Sequence, residues 1–151
     1  MDQILKIFNN DVLIASLLSW AIAQVIKTTI HAIVNKGIDF KRLIGDGGMP
    51  SAHSATVTSL AFCTGIKTGF DSVYFAIALV LAIIVMHDAL GVRREAGKHA
   101  KALNEINYYL NKEPDPDLVL KEFLGHTPLQ VLFGFLLGVV VTIVFAVIRL
   151  S

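Results

Sequence analysis

Val73-Tyr74-Phe75-Ala76-Ile77-Ala78-Leu79-Val80-Leu81-Ala82-Ile83-Ile84-Val85-Met86 carries no charge and almost no polar group. With Ser72 before it and Asp88 after it, the run has the length and composition of a helix that crosses a bilayer. The rest of the chain agrees. Of 151 residues, 54% are hydrophobic and only 17% charged, more apolar surface than one soluble domain of this length can bury. A net charge of +1 argues against a nucleic-acid binder that works by neutralising phosphates. Cys63, the one cysteine, sits in an apolar run and reads as packing; it can form neither an internal disulfide nor a cysteine-based metal cluster.

Working outward, three more spans are expected, at 12–34, 52–69 and 128–148, beside 72–88. The second is short and rich in Ser and Thr, whose hydroxyls can bond back to their own helix, so it suits the inside of a bundle. The fourth opens on Thr127-Pro128, a good N-cap followed by proline at the first helical position. The expected class is all-α: a single integral membrane domain over 1–151, a bundle of four transmembrane helices. Gly134 and Gly138 have the spacing that lets membrane helices approach closely, and the same spacing would let two copies pair as a homo-oligomer; Gly65 and Gly69 repeat it, but at a helix end they also read as caps. The start of the chain lacks a basic segment and cleavage site, so the first span is expected to stay as an anchor.

Four spans place the loops 35–51 and 89–127 on one side. Those loops carry Lys36, Lys41, Arg42, Arg93, Arg94, Lys98, Lys101, Lys112 and Lys121, while Lys6, Lys67 and Arg149 lie opposite. The bias predicts cytoplasmic long loops; the membrane expected is the plasma membrane of a bacterium. Within the second loop, Ala96, Ala100, Leu103, Ile106 and Leu110 fall near one face of a helix over 94–110, and a short second helix is predicted over 118–124, ending at Gly125. This loop would cap the mouth of the bundle.

Polar groups gather toward that mouth. Gly47-Gly48-Met49-Pro50-Ser51-Ala52-His53-Ser54-Ala55 is a glycine-led turn that opens into a span, and a helix N-terminus there favours an anion. In the first span Gln24, Lys27, Thr28, His31 and Asn35 share roughly a third of the helix circumference. Lys27 either faces the bundle interior or snorkels to the headgroups. Asp88 closes the third span and Arg93 and Arg94 follow it; Arg94 also reads as a topology anchor and His87 as an interfacial side chain. His126 precedes the fourth. Cations, imidazoles and a helix N-terminus suit phosphate. A metal or other cofactor is not expected: carboxylates are few and no His-x-x-x-His or His-Glu-x-x-His spacing occurs.

Pro50-Ser51-Ala52-His53, the segment from Asp88 to Gly97 and Leu124-Gly125-His126-Thr127-Pro128 together resemble the divergent family related to type 2 phosphatidic acid phosphatases and vanadium-dependent haloperoxidases. The resemblance runs from Gln24 to Gly138. In the parent phosphatases a Pro-Ser-Gly-His motif binds phosphate and supplies a general-acid histidine, which the resemblance carries to Ser51 and His53. A later motif sets an arginine, then a nucleophilic histidine after five residues, then an aspartate that orients it. Arg93 and His99 fit the first interval, but Leu103 stands at the aspartate position. Two points count against His99. Residues six apart on one helix point about 120° apart, so Arg93 and His99 converge only if the helix starts after Arg93; and this branch of the family often has glutamine there. His126, with Asp88, is the rival nucleophile. The parent lysine and arginine motif has only loose substitutes in Lys27 and Arg42.

The expectation is a membrane phosphatase-like protein that binds a phosphorylated lipid headgroup and hydrolyses a phosphomonoester or pyrophosphate, with catalytic candidates His53, His99, His126 and Asp88 and phosphate-binding candidates Lys27, Ser51, Arg93 and Arg94. The partner is a membrane lipid, not a nucleic acid. Alternatives are a non-catalytic phospholipid-binding or transport protein, whose polar path would be the Gln24–His31 stripe, and a purely structural bundle.

Overall fold

Ser51, with an extended backbone, accepts the Ser54 N–H on its hydroxyl at 3.3 Å and so caps the helix on which the others lean. The computed structural model describes residues 5–37, 48–111, 118–122 and 124–149. After a 3-10 turn at Lys6–Asn9, the described residues form α1 (Asp11–Asn35), α2 (Ala52–Thr68), α3 (Val73–Leu90), α4 (Val92–Asn111) and α5 (Pro128–Arg149), with no strand among them.

The central helix is α2, which packs on α1, α3 and α5. Its buried residues are small or hydroxylic and lie around most of its circumference: Ala52, Ser54, Ala55, Thr58, Ser59, Ala61, Cys63 and Thr64 among them. The hydroxyls are placed as their local chemistry predicts. Thr56, Thr64 and Thr68 each donate to the carbonyl four residues back, at 2.8, 2.7 and 2.9 Å. Others reach across helices: Ser19 of α1 donates to the Ala55 carbonyl at 3.0 Å, and Thr142 of α5 to the Ser59 hydroxyl at 3.0 Å. In hydrocarbon, where apolar burial adds little between helices, small residues and such bonds are what hold a bundle together.

The outer helices bury narrow strips. In α3 these are Ala78, Ala82 and Ala89, with Ala78 and Ala82 against Val57 and Ala61; Ile77, Val80, Ile83 and Ile84 stay exposed, as for a face turned to lipid. The strip of α5 is Val131, Gly134, Gly138, Val141 and Thr142. Gly134 and Gly138 are spent inside the protomer. A Cβ on Gly138 would lie 2.6 Å from the Ala55 carbonyl oxygen and 2.7 Å from Thr58 Cβ, and one on Gly134 would strike the Ser51 carbonyl. At the opposite end from Ser51, Asp11 opens α1 and ties the ends of α2 and α5, through Lys67 at 2.5 Å and Arg149 at 3.2 Å.

Three stretches, Asp11–Asn35, Val73–Leu110 and Pro128–Arg149, are long and apolar enough to cross a membrane. At 17 residues α2 falls short of them; at 1.5 Å per residue it spans about 25 Å against a hydrocarbon core of about 30 Å. The loop helix over 94–110 is present as α4. The second loop helix is not: residues 119–122 are irregular. Asn104 of α4 explains this, because its side-chain amide accepts the Leu120 N–H at 2.9 Å and donates to the Leu120 carbonyl at 2.8 Å, taking both groups that a helix would use. Leu118, Val119 and Leu120 are exposed, so no buried face favours a helix there either.

Gly138→Ala is expected to lower stability by about 1–3 kcal/mol, as overpacking does. Denaturant unfolding in detergent micelles checks this, with the lipid-facing Ile83→Ala as a comparison; equal stability of Gly138→Ala and wild type would mean that α5 does not need the close approach.

Candidate functional site

The polar residues at the start of α2, the end of α3, the start of α4 and the start of α5 meet at one end of the bundle. Two backbone bonds fix the frame. The Ser51 N–H donates to the Gln130 carbonyl at 3.0 Å, joining the N-terminus of α2 to the first turn of α5, and the His126 N–H donates to the Ala89 carbonyl at 2.9 Å, joining the approach to α5 to the end of α3. The segment before His126 lies directly on α4, and two glycines permit it. A Cβ on Gly97 would be 2.5 Å from the Glu122 carbonyl oxygen. One on Gly125 would be 2.5 Å from the Arg94 nitrogen, and Gly125 also has φ +79°, which other residues rarely adopt.

This segment divides the mouth into two cavities. The smaller, about 240 Å³, is lined by His53, Val92, Arg93, Ala96, Leu124, Gly125 and His126. Across it the His53 and His126 rings stand 6.3 Å apart, centroid to centroid, tilted by 58°. The larger, about 390 Å³, has Arg94, Lys98 and Lys101 along one face of α4 and Gly48, Glu122, Thr127 and Gln130 among its other walls. His126 lines both. The charge here is positive but partly answered: Arg93 pairs with Asp88 (Nε to Oδ2, 2.7 Å), Lys98 with Glu95 at 2.6 Å, and Glu122 accepts from Asn104 at 2.8 Å.

His53 is exposed and His126 is 6% exposed. The ring of His126 has Nδ1 3.2 Å from Gln130 Oε1, the same oxygen that accepts the Thr127 N–H at 3.0 Å. Asp88 engages Arg93. Arg94 lies in the larger cavity. Ser51 is wholly buried, and its oxygen accepts from the Ser54 N–H and hydroxyl, which is a capping role. Lys27 is buried on α1, where its aliphatic stem packs on Gly48, and lines neither cavity. His99 is exposed and lines neither cavity. Because α4 begins at Val92, Arg93 and His99 are on one continuous helix and diverge by about 120°. Arg42 and Gly47 lie outside the described residues.

Lys98, Lys101, Glu122 and Gln130 line the larger cavity beyond the site residues that the sequence singles out. Lys98 and Lys101 follow Arg94 by four and seven residues, a spacing that marks one helix face. Gln130 stands three after the N-cap Thr127, the position of the second member of a capping box. Among the described residues no group of three His, Cys, Asp or Glu side chains is placed to hold a metal ion.

Residues 8–141 match the family described as the Divergent PAP2 family. An uncharacterised membrane protein of Bacillus subtilis, YuiD, is 39% identical over 154 residues, which cover 94% of this chain and 98% of that protein. No solved structure matches the chain.

Gly125→Ala is expected to lift the 118–127 segment from α4 and to cost about 1–3 kcal/mol, the usual range for a residue held in a sparsely populated backbone region. Hydrogen exchange should quicken over 118–127 and stay slow in α2 and α5. Unchanged exchange in that segment would show that Gly125 is not what seats it.

Proposed function

From a chain that belongs to the Divergent PAP2 family, we propose a membrane phosphatase-like protein that binds the phosphate of a lipid headgroup at this mouth and hydrolyses a phosphomonoester or pyrophosphate. On this reading α1, α2, α3 and α5 all cross the membrane and the mouth faces the cytoplasm, as the basic loops predict. The observation that carries the proposal is the pair of histidines, His53 and His126, facing each other over a cavity that Arg93 also lines.

The two rings divide the chemistry by their surroundings. Buried His126, held by its backbone and by Gln130, is the nucleophile, since attack needs a neutral nitrogen in a fixed place. Exposed His53, with room to turn, is the acid. A His126 nitrogen attacks phosphorus; the P–N bond forms as the P–O bond to the lipid breaks, and protonated His53 gives its proton to the leaving oxygen. Water then attacks phosphorus, the P–N bond breaks, His53 takes the proton of the water, and inorganic phosphate leaves. Arg93 offsets the charge on the phosphoryl oxygens. Asp88 positions Arg93, and the cations of the larger cavity hold the remaining negative charge of the headgroup. Lys27 and Ser51 act by shaping the start of α2.

One observation favours a second reading, a non-catalytic phospholipid binder. His99, at the nucleophile position of the parent pattern, stands outside the cavity, and Leu103 replaces its orienting acid.

Phosphate release from phosphatidic acid, phosphatidylglycerol phosphate and isoprenyl diphosphates separates the two. His53→Ala and His126→Ala are expected to lose on the order of 100-fold or more, and His99→Gln to keep wild-type turnover. Loss in His99→Gln with full activity in His126→Ala would reverse the assignment of the nucleophile. No release from any of the three by the wild type, with binding that Arg93→Gln abolishes, would replace the phosphatase by the binder.

A further inference from the structure

We infer that Gln130 is a positioning residue for His126, holding its ring as the Nδ1–H tautomer. Three bonds converge on Gln130 near the ring. Its side-chain Oε1 accepts the Thr127 backbone N–H at 3.0 Å, its own N–H donates to the Thr127 hydroxyl at 3.3 Å, and Oε1 lies 3.2 Å from His126 Nδ1. The first two are a reciprocal capping box, which accounts for a glutamine at this place in many helices. The third is not part of any cap.

The tautomer follows from which atoms can donate. A backbone N–H only donates, so the amide atom facing Thr127 is the oxygen. That oxygen has no proton to give. For the 3.2 Å contact to be a hydrogen bond, Nδ1 of His126 must carry the proton, and in the neutral ring Nε2 then holds the lone pair. The ring is also held in place. It is 6% exposed, and its backbone is tied to Ala89. Gln130 is fixed as well, because its carbonyl accepts the Ser51 N–H at 3.0 Å.

The chemistry of the orienting group matters as much as its position. A carboxylate beside an imidazole favours the charged ring, whereas a neutral amide fixes the tautomer without doing so. Gln130 therefore supplies what Leu103 lacks, an acceptor for the second ring nitrogen, and supplies it from α5 and for a different histidine. It adds no negative charge to a cavity meant for an anion. The consequence for turnover rests on the phosphohistidine reading above; the tautomer itself does not.

Two variants separate positioning from capping. Gln130→Leu removes both roles of the side chain but keeps the backbone bond to Ser51. Gln130→Glu keeps the capping box and replaces the neutral acceptor by a carboxylate. In protein labelled with 15N-histidine in lipid nanodiscs, with the His126 signals identified by their loss in His126→Asn, the wild type at neutral pH is expected to show a protonated Nδ1 and an unprotonated Nε2. Gln130→Leu should lose that preference. Gln130→Glu should raise the pH at which the ring loses its extra proton while leaving the thermal midpoint of unfolding unchanged at a pH above that titration. If phosphatidic acid is a substrate, the acid limb of its kcat/KM profile moves up with it, and Gln130→Leu lowers kcat on the order of 10- to 100-fold with KM little changed, as for other groups that orient a histidine. A wild-type ring protonated at Nε2, or a Gln130→Leu ring with unchanged tautomer and titration, overturns the inference. The NMR readout needs no turnover. Protonated Nδ1 without phosphate release would sink the phosphatase and leave Gln130 in its role; phosphate release with protonated Nε2 would do the reverse.

Discussion

The mouth of the bundle depends on how closely the backbone of α5 approaches that of α2. Gly134 and Gly138 present no side chain to the Ser51 and Ala55 carbonyls, and any Cβ there would force the helices apart. Only at this separation can the Ser51 N–H reach the Gln130 carbonyl. That bond sets the register between two helix starts, and the register sets the site: His53 is two residues past Ser51 and His126 four residues before Gln130. The separation of the two histidines along the backbone is thus fixed by helix contact rather than by anything the rings do to each other. The small residues of α2 serve the same end, since bonds such as Ser19 to Ala55 and Thr142 to Ser59 need helices near enough to share hydroxyls.

A second close approach builds the cationic wall. Gly97 and Gly125 let the chain before α5 lie against α4, and Asn104 holds Leu120 farther along. The segment then separates Arg93 from Arg94. The two are neighbours in sequence, yet one lines the cavity with the histidines and the other the cavity with Lys98 and Lys101. Successive residues on a helix point about 100° apart, so a thin partition laid along α4 is enough to send them to different sides.

Local signals made the helices legible. Apolar runs marked α1, α3 and α5, Thr127-Pro128 marked the start of α5, and the spacing from Ala96 to Leu110 marked α4. What stayed hidden depends on partners distant in sequence. Residues 118–124 look helical alone; Asn104 decides otherwise, and nothing within the segment announces it. The glycine pair in α5 was legible as a close contact, but not that the contact is with α2 of the same chain. The His99 interval came from the parent pattern and would need a helix beginning after Arg93, whereas α4 starts at Val92. Gln130 could be read as a capping residue from its distance to Thr127. Its bond to His126 depends on where the turn before the helix places the ring, which no spacing gives.

The two walls of the smaller cavity differ in stiffness. His126 is buried, bonded through its backbone to α3 and through its ring to α5. Opposite it, His53 is exposed, and the Arg93–Asp88 pair is 50% and 38% exposed at its side chains. An ion pair that open to solvent contributes little, of order 0–1 kcal/mol, so a phosphate dianion could draw Arg93 from Asp88 at small cost. On the proposed reading this asymmetry has a chemical sense. The nucleophile must stand still, because a small misplacement of an attacking atom is costly. The acid and the guanidinium must follow a leaving oxygen and a phosphoryl group whose charge and geometry change through the step. A rigid imidazole held by a neutral amide, facing groups that can adjust, meets both demands. Glutamine at this place differs from the aspartate of the parent pattern in one respect: it orients the ring without favouring its protonated form.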